Sequence, residues 1–279
     1  MINKDSLKAK ANNISKEMNI AQNVVYNRFF YDAFLSRLAV STYKNKLILK
    51  GGLYLSSILG VDTRSTMDID FYLKKVSMDK ELIMRLIEEV SSINIEDGIV
   101  FEVVGSTEIR EDDIYGGFQV KLLGRLDNVK YQFGIDVATG DPIIPSERNY
   151  NYKCLVTGEV LPLKAYSLES VVAEKLETIL SRGIANSRSK DYYDLYILRK
   201  TQFDNIDLQV LKEAYKQTCK YRSFYILKTD AISLLNEIEV NHQIIRRWEN
   251  YGKNVRYAED IPFENVINEI KKWINICYD

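Results

Sequence analysis

The sequence predicts an α+β fold: a mixed sheet with flanking helices, followed by an all-helical C-terminal domain. Three observations predict it. Short apolar runs with strand-like alternation, such as KLILK at 46–50, MDIDFYL at 67–73 and FGIDVA at 133–138, are confined to the first 165 residues. Three of the four prolines (Pro142, Pro145, Pro162) fall in a connection over 142–162. Beyond it almost every segment carries a helical period. The expected domains are therefore 1–165, an α/β domain that includes the N-terminal helices, and 166–279, a helical domain closing a cleft.

Each element follows from its local pattern. Residues 5–18 and 22–41 read as helices, the second because Val25, Phe29, Phe30, Phe34 and Leu38 recur at helical spacing. KLILK is a short strand ended by Gly51-Gly52, and LYLSSILG is a short helix closed by Gly60. MDIDFYL is a second strand, and 78–92 an amphipathic helix. Runs at 99–105, 117–124 and 129–138, punctuated by Gly, Asp and Asn, suit a mainly antiparallel extension of the sheet. Six helices follow, at 167–182, 190–201, 207–219, 229–238, 240–250 and 262–277. Ser167 is the expected N-cap of the first, with Glu169 in its first turn.

Composition narrows the chemistry. Of 279 residues, 46% are hydrophobic, enough for a substantial core. Lys and Arg number 38 against 39 Asp and Glu, so overall charge points to no nucleic-acid or membrane partner, and such a signal must be local. Cys154, Cys219 and Cys277 lie far apart without C-x-x-C spacing, as expected of reduced thiols in a cytoplasmic protein. The polar start MINKDSLKAKANN resembles no signal peptide, and no apolar run approaches the roughly 18–20 residues of a membrane span. The single histidine, His242, reads as an ordinary surface or boundary residue. Catalysis must then come from carboxylates, lysines or metal ions held by oxygen.

Asp68 and Asp70 supply the first such group. Aspartate is depleted in strands, yet these two flank Ile69 inside an apolar run. On a strand, residues i and i+2 share a face, with Cα atoms about 7 Å apart. Like charges that close raise each other's pKa, a conflict that a divalent cation removes. Oxygen-only ligands suit magnesium, which adds substrate phosphates to its shell. A third carboxylate would complete a pair of ions roughly 3.5–4 Å apart, and Asp136, also an acid in an apolar strand, is the candidate. Gly51-Gly52 precedes a helix whose N-terminal N–H groups and partial positive charge would receive a phosphate. A phosphate held beside a metal-binding D-x-D describes a nucleoside triphosphate site.

With "KGGLYLSSILG…RSTMDIDFYL" followed by "EKLETILSRGIANSRSKDYYDLYIL", the chain resembles the AbiEii/AbiGii toxin family, bacterial abortive-infection and type IV toxin–antitoxin nucleotidyltransferases of the DNA polymerase beta-like fold. The matching elements span about residues 50–198. The broader superfamily usually has G-S where this chain has Gly51-Gly52. The resemblance implies a nucleotidyltransferase-like sheet and a magnesium-dependent transfer of a nucleotide from a nucleoside triphosphate. Asp68 and Asp70 hold two Mg2+ ions, and Asp136 completes one of them or acts as the base. The family's active-site Lys and Asp carry over to Lys175 and Asp191. Asp194 shares a helix face with Asp191, and Arg182 and Lys190 flank the same cleft. Gly51, Gly52, Lys175 and Arg182 are then the nucleotide-binding set. Singly, these features have plainer readings: strand-end acids, a turn, a surface ion pair between helices. Their occurrence together favours the site.

The acceptor is read from local charge. Between 211 and 228, Lys212, Lys216, Lys220, Arg222 and Lys228 interleave with Tyr215, Tyr221 and Tyr225, and RRWENYGKNVRY offers Arg246 and Arg247 beside Trp248 and Tyr251. Cations with rings suit single-stranded RNA; a solvated helix face is the plainer reading. The resemblance implies the 3′ end of tRNA as acceptor, a block of translation leading to growth arrest or abortive phage infection, and an antitoxin encoded nearby, a winged-helix repressor that need not form a stable complex. Rival readings are a kinase or AMP-transferase acting on protein, a two-metal nuclease, and a non-enzymatic RNA-binding module.

Overall fold

The structure is a computed structural model that describes residues 2–66, 68–74, 79–109 and 116–279. Met67 and Met78, expected to begin a strand and a helix, lie outside the described residues. The chain divides into two compact units: Met1–Gly140 with Arg148–Ala165, and Asp141–Glu147 with Tyr166–Asp279.

The first unit is built on a seven-stranded mixed sheet. Its elements, in chain order, are helices α1 (Lys4–Met18) and α2 (Gln22–Val40), strand β1 (Leu47–Lys50), helix α3 (Gly51–Leu59), strand β2 (Asp68–Leu73), helix α4 (Lys80–Ser91) and strands β3 (Val100–Ile109), β4 (Gly117–Leu126), β5 (Val129–Ala138), β6 (Arg148–Lys153) and β7 (Val160–Ala165). The strand order is β3-β4-β5-β2-β1-β7-β6. Pairs β3–β4, β4–β5, β1–β2 and β6–β7 are antiparallel, while β2–β5 and β1–β7 are parallel. The antiparallel extension expected from 99–138 is present. Strands β6 and β7 were not expected, because their segment reads as a proline-bearing connection. Pro162 lies opposite Asn151 in the β6–β7 ladder, and RNYNYK alternates too weakly to signal a strand: only Tyr152 of β6 is fully buried.

Helix α2 is covered on all sides between Val25 and Ala39, rather than along one stripe. Phe29, Phe30, Phe34, Leu35 and Leu38 are core residues, and each buried side chain of this size contributes about 1.5–3 kcal/mol. The charges this burial includes are paired. Arg37 makes a two-pronged contact with Asp97, both bonds 2.8 Å, and also donates to the Ile99 carbonyl at 2.7 Å. Asp32 accepts from the Tyr152 hydroxyl at 2.5 Å and the Leu155 N–H at 2.7 Å, with Arg28 at 3.5 Å.

The second unit is helical: α5 (Leu168–Arg182), α6 (Ser189–Thr201), α7 (Leu208–Tyr221), α8 (Lys228–Val240), α9 (His242–Asn254) and α10 (Phe263–Tyr278). Five of them lie within two residues of their expected bounds, and α9 runs on to Asn254, four residues past its expected end. Ser167 caps α5, its hydroxyl accepting from the Ser170 N–H at 3.1 Å. Trp273, fully buried on α10, donates its indole N–H to the Leu195 carbonyl at 3.0 Å. Arg222 belongs to this unit's frame: its guanidinium meets Asp141 at 2.8 Å, Glu177 at 2.5 Å and Thr178 Oγ1 at 3.0 Å. These carboxylates hold its pKa above the ordinary value against the opposing effect of burial.

Candidate active site

The strand aspartates share one face of the sheet. Along β2, Ile69, Phe71 and Leu73 are buried while Asp68, Asp70 and Tyr72 remain half-buried. In the parallel β2–β5 pair, Asp70 lies opposite Asp136 and Asp68 opposite Gly134. In the antiparallel β4–β5 pair, Gln119 lies opposite Asp136 and its amide donates to Asp136 Oδ1 at 2.8 Å. The period of two thus brings three carboxylates, from segments over 60 residues apart, to one face with a side-chain amide beside them.

Gly51 and Gly52 do not merely end a strand; they form the first turn of α3. Gly51 has φ +62°, and a Cβ there would lie 2.2 Å from Asp70 Oδ2. The Gly52 N–H donates to the same oxygen at 3.1 Å, and a Cβ on Gly52 would lie 2.5 Å from Thr66 Oγ1. The helix N-terminus therefore faces the D-x-D carboxylate directly, an arrangement favoured by the N-terminal partial charge. The residues expected as phosphate cradle and as metal ligand are thus in direct contact.

Hard oxygen donors on adjacent strands fit a divalent cation in kind. Among the described residues, however, no three His, Cys, Asp or Glu side chains are gathered as a metal-binding group. Asp70 and Asp136 each engage one oxygen with an N–H donor, on Gly52 and Gln119 respectively.

In the second unit, Lys175 of α5 is the hub of a buried ion cluster. Its ammonium lies 2.6 Å from Asp191 Oδ1 and 2.8 Å from Asp194 Oδ2, and Arg188 Nε lies 2.6 Å from Asp191 Oδ2. Asp191 and Asp194 stand i,i+3 on α6, and their side chains are 2% and 0% exposed. This is no surface pair of small worth. Burial pulls the Lys175 pKa down, but the two aspartates outweigh it and leave it raised. Burial pushes Asp191 up, yet Lys175 and Arg188 hold it well below the usual carboxylate range. Arg188 escaped the sequence reading, as did Gln119 and Thr66; Arg188 lies i−3 from Asp191, a spacing that could have signalled it.

The remaining expected residues divide. Arg182 and Lys190 are exposed, at the end of α5 and the start of α6. Lys216 and Lys220 are exposed on α7, Arg246 and Arg247 on α9. Arg222, expected to contact RNA, is instead enclosed by the carboxylates described above. Of the rings expected to face bases, Tyr215 and Trp248 are core residues, and the Trp248 indole donates to the Ile261 carbonyl at 2.9 Å. His242 is exposed, as expected. The described residues include no helix long and apolar enough to cross a membrane.

The nucleotidyl transferase AbiEii toxin family, of type IV toxin–antitoxin systems, has a family model that matches residues 33–269. JHP933 from Helicobacter pylori, known from a crystal structure, shares 15% identity across 92% of this chain and 93% of its own, with a TM-score of 0.52; the likeness is one of fold. A second Helicobacter pylori structure, provisionally named a nucleotidyltransferase, shares 15% identity across 93% of this chain and 96% of its own, with a TM-score of 0.48. Among curated proteins none matches the chain.

Proposed function

The chain belongs to the AbiEii family of nucleotidyltransferase toxins, and from that premise we propose that it transfers the nucleotidyl group of a nucleoside triphosphate to the 3′ end of an RNA, with tRNA the acceptor whose modification would arrest translation. The observation that carries the reading is the register of β2 and β5. It sets Asp68, Asp70 and Asp136 on one face, with Asp70 against the N-terminus of α3.

Asp68 and Asp70 would hold divalent cations, with Asp136 completing the set. When bound there, such cations would supply charge stabilisation, lowering the pKa of the attacking hydroxyl and offsetting charge on the departing pyrophosphate. The first turn of α3 orients the triphosphate through its N–H groups. The resemblance also assigns Lys175 to the nucleotide; in the helical unit its ammonium meets Asp191 and Asp194. In the transfer, the acceptor hydroxyl oxygen bonds to the α-phosphorus and the bond to the bridging α–β oxygen breaks. Pyrophosphate leaves, and Asp136 receives the hydroxyl proton. Gln119 fixes the Asp136 carboxylate for that task. Family membership also supports a cognate antitoxin as partner.

The test uses purified protein, total bacterial tRNA, Mg2+ and each nucleoside triphosphate labelled at the α- or the γ-phosphate. The expected result is α-label on RNA, lost in Asp68→Ala. γ-Label on any acceptor would make the chain a kinase, and α-label on protein alone an AMP-transferase-like enzyme; either overturns the reading.

A further inference from the structure

An open groove of about 560 Å³ lies within the helical unit, between the 187–190 turn that starts α6 and the exposed side of α9. Arg188 and Lys190 line one wall; Arg247, Asn250, Tyr251 and Asn254 line the other. Its volume falls in the roughly 300–1,000 Å³ range of ligand sites, and is more than one oxyanion needs. No acid lines it. Lys175 and Arg188 are balanced by Asp191 and Asp194, so the groove's net charge comes from Lys190 and Arg247. Arg247 donates to a neutral acceptor, the Asn186 carbonyl, at 3.2 Å, and among the described residues no carboxylate pairs with it.

We propose that this groove binds the phosphodiester backbone of a single-stranded polynucleotide, the acceptor strand of the transfer reaction. The proposal rests on the reading above that the acceptor is a nucleic acid, and it adds where that strand lies. Lys190 and Arg247 meet backbone phosphates as a point charge and a planar donor. Arg188, which lines the groove, donates its Nε–H to Asp191. Asn250 and Asn254 stand i,i+4 on α9; the Asn254 amide donates to the Asn250 carbonyl at 2.7 Å, and the Asn250 amide is offered to sugar or base edges. Tyr251 is half-buried and wedged against Trp248 and Tyr193, with ring centroids 5.7 and 6.3 Å away. A ring fixed in this way is a platform on which a base stacks at little entropic cost. The same groove is two ion pairs from Lys175, through Arg188 and Asp191. A strand seated there is thus continuous with the residue assigned to the triphosphate.

The experiment measures fluorescence anisotropy of a labelled single-stranded oligoribonucleotide against the full chain over a range of salt. Lys190→Ala and Arg247→Ala are compared with wild type and with Lys8→Ala, an exposed lysine of α1. Each groove variant is expected to weaken binding several-fold and to lower the slope of log affinity against log salt by about 0.7, the value for one phosphate contact on a single strand. Lys8→Ala is expected to match wild type. Wild-type-like binding by both groove variants overturns the proposal, as does equal weakening by Lys8→Ala. Displacement of the oligonucleotide by inorganic phosphate or polyglutamate at equal charge would assign the groove to small anions or acidic peptides instead. A chain that labels RNA but ignores Lys190 and Arg247 sinks the groove alone. A chain that neither binds the oligonucleotide nor labels RNA sinks the nucleic-acid reading as well.

Discussion

At the scale of single residues, the site turns on positions where a side chain is missing. Gly51 combines φ +62° with an Asp70 carboxylate where its Cβ would be, and even the Asp70 Cβ would lie only 2.8 Å away. An alanine there must therefore displace Asp70 as a whole. The left-handed backbone adds roughly 1–2 kcal/mol for any side chain. Gly51→Ala is expected to lower the melting temperature by a few degrees and to cut nucleotide transfer to the level of Asp70→Ala. Full activity in Gly51→Ala would remove Asp70 from the site. The two glycines and the two aspartates were conspicuous in the sequence because each is unusual for its context. Their contact was not, since no pattern within 51–70 says that the helix N-terminus folds back onto the strand's carboxylate. Gln119 was invisible for a related reason: a polar residue at an outward strand position is ordinary until its cross-strand partner is known. The buried Lys175–Asp191–Asp194 cluster was half legible. The i,i+3 spacing of the acids showed a shared face, but burial of all three depends on the packing of α5 against α6.

Elements were readable where period and punctuation agreed. Strands β4 and β5 alternate cleanly, and α5 announces itself with Ser167. Strand β6 does not, being an exposed edge with one inward residue, Tyr152. That residue nevertheless ties the edge to the core helix, through its hydrogen bond to Asp32 on α2. Burial pushes the Asp32 carboxyl up, and Arg28 with the bonds from Tyr152 and Leu155 pulls it partly back, leaving it at about 6 against an ordinary 3.8. A carboxyl raised in the folded state holds a proton there that the unfolded chain has already released. Its contribution to stability is complete below about pH 4 and is lost as pH rises through about 6. The difference is roughly 3 kcal/mol, from about two pH units at 1.36 kcal/mol each. Chemical denaturation of wild type and Asp32→Asn between pH 4 and 7.5 should show this slope in wild type and a flatter profile in the variant. Parallel profiles would mean that Asp32 is ionised across the range and that its partners outweigh its burial.

For the whole molecule, the proposed machinery is distributed between two compact units. Asp68, Asp70 and Asp136 belong to the sheet unit, and Lys175, Asp191 and Asp194 to the helical one. The sequence divides its chemistry in the same way, into a G-G/D-x-D block and an E-K-L/K-D block. If both serve one transfer step, their contributions must be interdependent. Asp136→Asn removes a base or ligand and is expected to cost about 10²–10⁴-fold in turnover. Lys175→Arg keeps the positive charge that Asp191 and Asp194 require, so the helical unit stays folded, but a guanidinium fork replaces the point charge proposed for the phosphate. A loss of about 10²-fold is expected for it. Residues that act as a unit are strongly non-additive, so the double variant should fall well short of the product of the two losses. A double variant that reaches the full product, with both units melting as in wild type, would mean that the two blocks act on separate steps. Lys175 would then be a structural ion-pair hub of the helical unit, and the triphosphate site would rest on the sheet unit alone.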